Sequence, residues 1–102
     1  MPTKFQEKVY KICEEVPKGK VTTYKMIAER LGTKAYRAVG TALAKNPYAP
    51  KVPCHRVVNH DGNIGNYSGK NGRKGKIKML GKECIEIKND KIKDFRKVLF
   101  RF

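Results

Sequence analysis

The sequence predicts a mainly α-helical domain with a small β component, arranged as a helix-turn-helix with a winged-helix-like periphery. Three observations carry this. A capped amphipathic helix opens the chain, two short apolar-periodic helices follow across a glycine turn, and β-patterned segments are short. The first helix covers about residues 4–15. Thr3-Lys4-Phe5-Gln6 is a capping box with Thr3 as N-cap and Gln6 reaching back. Phe5, Val9, Ile12, Cys13 and Val16 then recur at helical spacing, which makes Cys13 a core residue. Pro17-Lys18-Gly19 ends the helix in a turn. Val21-Thr22-Thr23 is extended, and a threonine there caps a second helix over residues 24–31, burying Ile27, Ala28 and Leu31, with Gly32 at its C′ position. Thr33 caps a third helix over residues 34–45 with Ala35, Val39, Ala42 and Leu43 on one stripe.

The second half is less regular. Residues 46–53 hold three prolines and form a loop that presents Cys54. Val57-Val58 is a short apolar strand or helix edge. Residues 59–75 are rich in glycine and asparagine and read as a long irregular loop. Ile77, Met79 and Leu80 mark a short helix. Residues 85–88 alternate like a strand, and Asn89-Asp90 turns the chain. Phe95, Val98, Leu99, Phe100 and Phe102 make the tail apolar enough to dock on the core.

One hundred and two residues form a single domain, 1–102, with room for one modest core. Lys and Arg number 24 against 9 Asp and Glu, a net charge of +15, which exceeds what solubility requires and points to polyphosphate as the partner. The helix-turn-helix is therefore read as a DNA-binding domain. Its third helix is rich in small residues (Ala38, Gly40, Thr41, Ala44), which serve either close helix packing or a flat surface for close approach to a duplex. Three cysteines (Cys13, Cys54, Cys84), an odd number without a Cys-x-x-Cys, argue against a disulfide framework and fit a reducing compartment better. With no apolar run of about 18 residues and no signal-peptide core, the expectation is a cytoplasmic, intracellular monomer without a membrane partner, nucleoid-associated if the source is prokaryotic.

Pro53-Cys54-His55-Arg56-Val57 carries the chemistry. A thiol beside an imidazole offers a nucleophile and a base together, and cationic neighbours favour the reactive thiolate. Zinc is not expected: Cys54, His55, His60 and Cys84 match no common structural spacing, and adjacent Cys-His side chains rarely converge on one centre.

That motif follows Arg37-Ala38-Val39-Gly40 and Asn46-Pro47 and precedes Gly65-Asn66-Tyr67-Ser68-Gly69. With Thr23-Tyr24, Leu31-Gly32 and Met79-Leu80-x-x-Glu83, it closely resembles the active-site domain of the O6-alkylguanine-DNA alkyltransferases over about residues 3–84. The resemblance implies a DNA repair protein that flips O6-alkylguanine out of double-stranded DNA and moves the alkyl group irreversibly to its own cysteine, once per molecule and without a cofactor. It implies Cys54 as nucleophile, His55 as its base through a water, and Glu83 as the carboxylate that orients His55. Tyr24 serves guanine N3. Ser68 and the backbone around Tyr67 and Gly69 contact O6, and Leu43 lines the pocket. The carbonyls of Cys54 and Val57 receive the exocyclic amine. Asn46 ties the helix-turn-helix to the active-site loop, and Arg37 enters the base stack. Thr23, Lys34, Tyr36, Ala38 and Gly40 accompany Arg37 on the DNA. The resemblance covers the active-site domain only, so the N-terminal domain of larger members is expected to be absent. The match to Glu83 requires about two extra residues in 70–74, and Cys84 stands where the family usually has glycine; Cys84 is expected as a small buried residue. Some relatives bind alkylated guanine without repairing it and lack the cysteine; Cys54 argues for catalysis.

Overall fold

Side-chain oxygens decide where the first helices begin. Thr3 Oγ1 accepts from Gln6 N at 3.1 Å while Gln6 Oε1 accepts from Thr3 N at 2.9 Å, so the capping box opens α1 (Lys4–Glu14). Thr23 Oγ1 accepts from Met26 N at 3.0 Å and opens α2 (Tyr24–Arg30) directly after β1 (Thr22–Thr23). Gly32, at φ +76°, closes α2 in a Schellman turn: its N–H reaches Glu29 O, and Thr33 N–H reaches Ala28 O.

The computed structural model describes residues 2–49, 51–65 and 71–102. After α2 come α3 (Tyr36–Ala44), a 3-10 turn (Cys54–Arg56), β2 (Val57–Val58), α4 (Gly72–Lys82), β3 (Ile87–Lys88), β4 (Lys91–Ile92) and α5 (Phe95–Val98). The mainly helical architecture with a small β component is as expected. β1 and β2 pair in parallel, Thr22 with Val57 and Thr23 with Val58; β3 and β4 pair antiparallel. Asn89 and Asp90 both have positive φ, the backbone that a two-residue type I′ hairpin requires.

Four details differ from expectation. Thr33 does not cap α3. Its hydroxyl oxygen accepts from Ala35 N at 3.1 Å, a local turn that holds residues 34 and 35 outside the helix, and the helix starts at Tyr36 behind an Ala35 without a side-chain cap. The glycine-rich loop is shorter than 59–75, because α4 takes in Gly72 and Gly75. Gly75 is buried, and packing there overrides its poor helix propensity. Phe102 is exposed, although α5 and Leu99 do dock: Val21 N–H reaches Val98 O at 2.9 Å and Phe100 N–H reaches Val21 O at 2.7 Å.

Cys84 is exposed rather than buried, at φ +66°. It occupies the C′ position of α4. Its N–H reaches Gly81 O and Ile85 N–H reaches Leu80 O, both at 3.0 Å, so a Schellman turn places Leu80 and Ile85 in one apolar cluster while Cys84 points away.

The two β-pairs and the helices enclose two apolar clusters. One joins α1, α2 and α3 through Val9, Ile12, Cys13, Ile27, Val39 and Leu43 to Cys54 and Val57. The Tyr10 hydroxyl donates to Ala42 O at 2.7 Å and locks α1 to α3. The other gathers Val21, Val58, Ile64, Leu80, Ile85 and Ile92. Among the described residues no helix is long and apolar enough to cross a membrane.

The left-handed Cys84 yields a stability prediction. Only glycine adopts that backbone without a Cβ penalty, so Cys84→Gly should raise unfolding free energy by about 1 kcal/mol in urea titrations. An unchanged or lower midpoint would show that the turn is unstrained.

Candidate active site

The loop after α3 is tied before it reaches the thiol. Asn46 Nδ2 donates to Val52 O at 2.8 Å, and Asn46 Oδ1 accepts from Tyr48 N at 2.9 Å. Cys54 N then donates to Val52 O and Arg56 N to Pro53 O, winding the 3-10 turn. Cys54 is 7% exposed and sits in a cleft of about 880 Å³. Tyr24, Lys25, Tyr36, Arg37, Gly40, Thr41, Leu43, Ala44, Asn59 and His60 also line it. The helix-turn-helix thus supplies most of the rim, and the thiol lies within.

Behind the thiol, Glu83 collects three hydrogen bonds. His55 Nε2 lies 2.9 Å from Glu83 Oε2; Arg56 Nε donates to Oε1 at 2.9 Å and Nη2 to Oε2 at 2.8 Å. Arg56 Nη1 reaches Val16 O at 2.8 Å, at the exit of α1. Burial pushes His55 below its ordinary value; Glu83 opposes this, while Arg56 and Lys76 add to it. His55 is therefore neutral at pH 7, and its bond to Glu83 is a hydrogen bond rather than an ion pair. An ionised carboxylate only accepts, so the ring proton lies on Nε2 and Nδ1 keeps a free lone pair. That Nδ1 is buried and has no hydrogen-bond partner among the described residues, which leaves it able to take a proton. Burial alone would raise Glu83, yet the hydrogen bonds from Arg56 and His55 hold it below its ordinary value.

Tyr24 borders the cleft, and burial, reinforced by Cys54, pushes its hydroxyl up to about 12, so it stays a donor. Burial also pushes the Cys13 thiol up, and Cys13 belongs to the core. Lys76 of α4 is fully buried and donates to Val57 O at 2.7 Å.

Cys54, His55 and Glu83 are thus brought together, with Tyr24 and Leu43 beside them on the cleft. Asn46 acts on the loop ahead of the thiol. Tyr36, Arg37 and Ala38 are exposed on the first turns of α3, with Gly40 half-buried behind them; Lys34 is exposed in the turn before it. Thr23 does not join that surface: it is buried, and its hydroxyl is spent on capping α2. The Val57 side chain is buried and its carbonyl already accepts from Lys76. Tyr67, Ser68 and Gly69 lie outside the described residues. Sequence reasoning missed Arg56 as a ligand of Glu83, and missed Lys76, although Lys76 lies four residues before Leu80 on the buried face of α4.

These parts define a helix-turn-helix protein with a thiol set into the cleft bordered by α2 and α3 and an imidazole–carboxylate pair behind it. Residues 4–85 match the model of the 6-O-methylguanine DNA methyltransferase family, DNA-binding domain, and the chain belongs to that family. It is 48% identical over 83 residues to a methylated-DNA–protein-cysteine methyltransferase of Saccharolobus solfataricus, covering 81% of this chain and 52% of the relative, so it spans about half of that protein's length. The OGT of Mycobacterium tuberculosis solved in complex with DNA matches with a TM-score of 0.76 and 39% identity, over 81% of this chain and 51% of that one. Atl1 of S. pombe, solved with damaged DNA containing O6-carboxymethylguanine, matches with a TM-score of 0.84 and 30% identity over 100% of both chains.

The Glu83 geometry has a pH signature. Its folded value is depressed, so its stabilisation is complete above about pH 4.5 and is lost as pH falls through the lower folded value. Glu83→Gln should cost roughly 3 kcal/mol at pH 7, because Arg56 is left half-buried without its anion. That cost should shrink in urea titrations below about pH 4. A cost independent of pH would contradict the depressed carboxylate.

Proposed function

We propose that this protein repairs O6-alkylguanine in double-stranded DNA by moving the alkyl group to Cys54. One observation carries the reading: a nearly buried thiol in a cleft bordered by the helix-turn-helix, next to a neutral His55 whose tautomer Glu83 sets. A buried thiol cannot reach a stacked base, so the base must come to it, at a cost of a few kcal/mol for unstacking. The net charge of +15 holds the duplex, and Arg37, exposed at the rim, fills the gap that the base leaves.

The chemistry is a displacement at the alkyl carbon. His55 Nδ1 takes the thiol proton, directly or through a water. The thiolate attacks the alkyl carbon, the S–C bond forms, and the C–O6 bond breaks with its electron pair left on guanine. Guanine then takes a proton, with the Tyr24 hydroxyl as donor at N3, and the proton on His55 replaces it through solvent. The product is a neutral thioether, and a thiolate is a poor leaving group from it. Each chain therefore acts once, as a monomer, and no cofactor enters any step.

A binding-only reading has one observation in its favour, the end-to-end match to a protein solved on damaged DNA. Transfer to Cys54 separates the two. After incubation with an O6-methylguanine duplex, intact mass should rise by about 14 Da, with the methyl on Cys54 and not on Cys13 or Cys84. Cys54→Ser should take up nothing and still bind the duplex. A methyl on Cys84, or transfer by Cys54→Ser, would sink the assignment.

Arg37 tests base flipping. Arg37→Ala should slow transfer from duplex O6-methylguanine at least tenfold more than transfer from the free modified base, because only the duplex pays for unstacking. Equal losses on the two substrates would assign Arg37 to the fold or to the pocket.

A further inference from the structure

Residues 86–102 lie beyond the stretch that matches the family, and the repair chemistry uses none of their basic side chains. Within them, the register of β3 and β4 sets Lys88 directly opposite Lys91, both exposed. Side chains directly opposite across an antiparallel pair share one face, and two like charges there are destabilising. The neighbouring charges are matched: Lys93 pairs with Glu86 at 3.4 Å, and Asp90 with Arg73 at 3.2 Å. Among the described residues no carboxylate forms an ion pair with Lys88 or Lys91. Asp61, on which Lys91 acts through space, spends its carboxylate on the Asn63 N–H at 2.9 Å. The hairpin is also joined to the cleft. Asn63 bridges to Lys91, Ile92 N–H reaches Gly62 O and Ile64 N–H reaches Asp90 O, both at 2.9 Å. Asn59 N–H reaches Asn63 O at 2.9 Å and closes the turn after β2, and Asn59 and His60 of that turn line the cleft with Arg37. Backbone hydrogen bonds therefore run without a break from the cleft wall to the lysine pair.

We propose that the β3–β4 hairpin is a wing that grips the sugar-phosphate backbone of the duplex through Lys88 and Lys91, outside the helix-turn-helix. This deepens the repair reading and rests on it for the identity of the partner. Two ammonium groups held side by side repel each other in the free hairpin, and a polyanion laid across both relieves that repulsion. A lysine meets phosphate as a point charge and reads no base, so the wing adds affinity and orientation without sequence preference. Its inner face serves the fold, because Ile92 is buried in the second apolar cluster and Ile87 packs against it. Its outer face is left for the DNA that flanks the extruded base.

The test is the salt dependence of binding to an undamaged duplex, read by fluorescence anisotropy. In the double variant Lys88→Gln with Lys91→Gln, the slope of log affinity against log salt should flatten by about 0.9 for each lysine. Lys8→Gln with Lys11→Gln makes the same charge loss on the exposed face of α1, from which no lining residue of the cleft comes, and should leave the slope near wild type. A wing variant with the wild-type slope, or a control that flattens it equally, overturns the proposal, since the charge would then act only through the molecule as a whole. Lys88→Glu gives two readouts that move in opposite directions. It turns a repulsive cross-strand pair into an attractive one, so the urea midpoint should rise while duplex binding weakens. A pair that served only the fold would leave binding unchanged, and that result also overturns the proposal. Methyl transfer to Cys54 from the free modified base should keep its wild-type rate in the wing variants; a slower rate would assign the lysines to the pocket. A wild type that takes no methyl from DNA but shows the lysine-dependent slope would refute the repair reading and leave the wing standing. One that repairs the duplex with a slope indifferent to Lys88 and Lys91 would do the reverse.

Discussion

The three hydrogen bonds that meet on the Glu83 carboxylate, with a fourth from Arg56, hold three distant parts of the chain in one place. Glu83 caps the end of α4, His55 and Arg56 belong to the 3-10 turn, and Arg56 extends the knot to the Val16 carbonyl behind α1. An Arg–carboxylate fork in partly dry surroundings is strong when every donor is used, and costly when one member is removed. Here the guanidinium uses Nε, Nη1 and Nη2, each at 2.8–2.9 Å. The carboxylate proposed to orient the base is therefore also the one that fixes the turn carrying Cys54. Fold and chemistry share a residue, and measurements on Glu83 variants must separate the two through their pH dependence.

The site places an unusual polar load on a small domain. His55, Thr22, Thr23 and Lys76 are all buried. A chain of about 100 residues has little stability to spare. Part of the compensation comes from beyond the family match at residues 4–85: Ile92, Phe95 and Val98 complete the second apolar cluster, and the chain around Leu99 pairs with Val21 next to β1. The tail thereby supports the strand pair that leads into α2 on one side and out of the 3-10 turn on the other.

Much of this was legible from local chemistry. Thr3, Gln6 and Gly32 specify their helix ends through contacts within a few residues, and α1 and α2 start where the sequence says. The Cys54-His55 pair was readable because it is contiguous, and the place of Glu83 was readable through resemblance. What stayed hidden depends on distant packing. Gly72 and Gly75 argue against a helix locally, and burial of Gly75 and Lys76, with α4 packed on the 3-10 turn, makes one. Lys76 reads as one more lysine in a lysine-rich chain until its depth is known. Cys84 reads as a small apolar residue until the helix end forces its backbone into the left-handed region. Thr33 offered a cap, but its hydroxyl had a nearer partner in Ala35 N.

The sequence separations at the site have a consequence for the protein before it is finished. His55 adjoins Cys54 in the chain, but Glu83 lies 28 residues from His55, Lys76 lies 19 from Val57, and the Val16 carbonyl lies 40 from Arg56. None of these partners is in place in a nascent or unfolded chain. There Cys54 is an ordinary thiol, no more attractive to a stray electrophile than Cys13 or Cys84. Under the single transfer proposed above such a delay matters: Cys54 meets the His55–Glu83 pair only on tertiary assembly, when the cleft has been built around it.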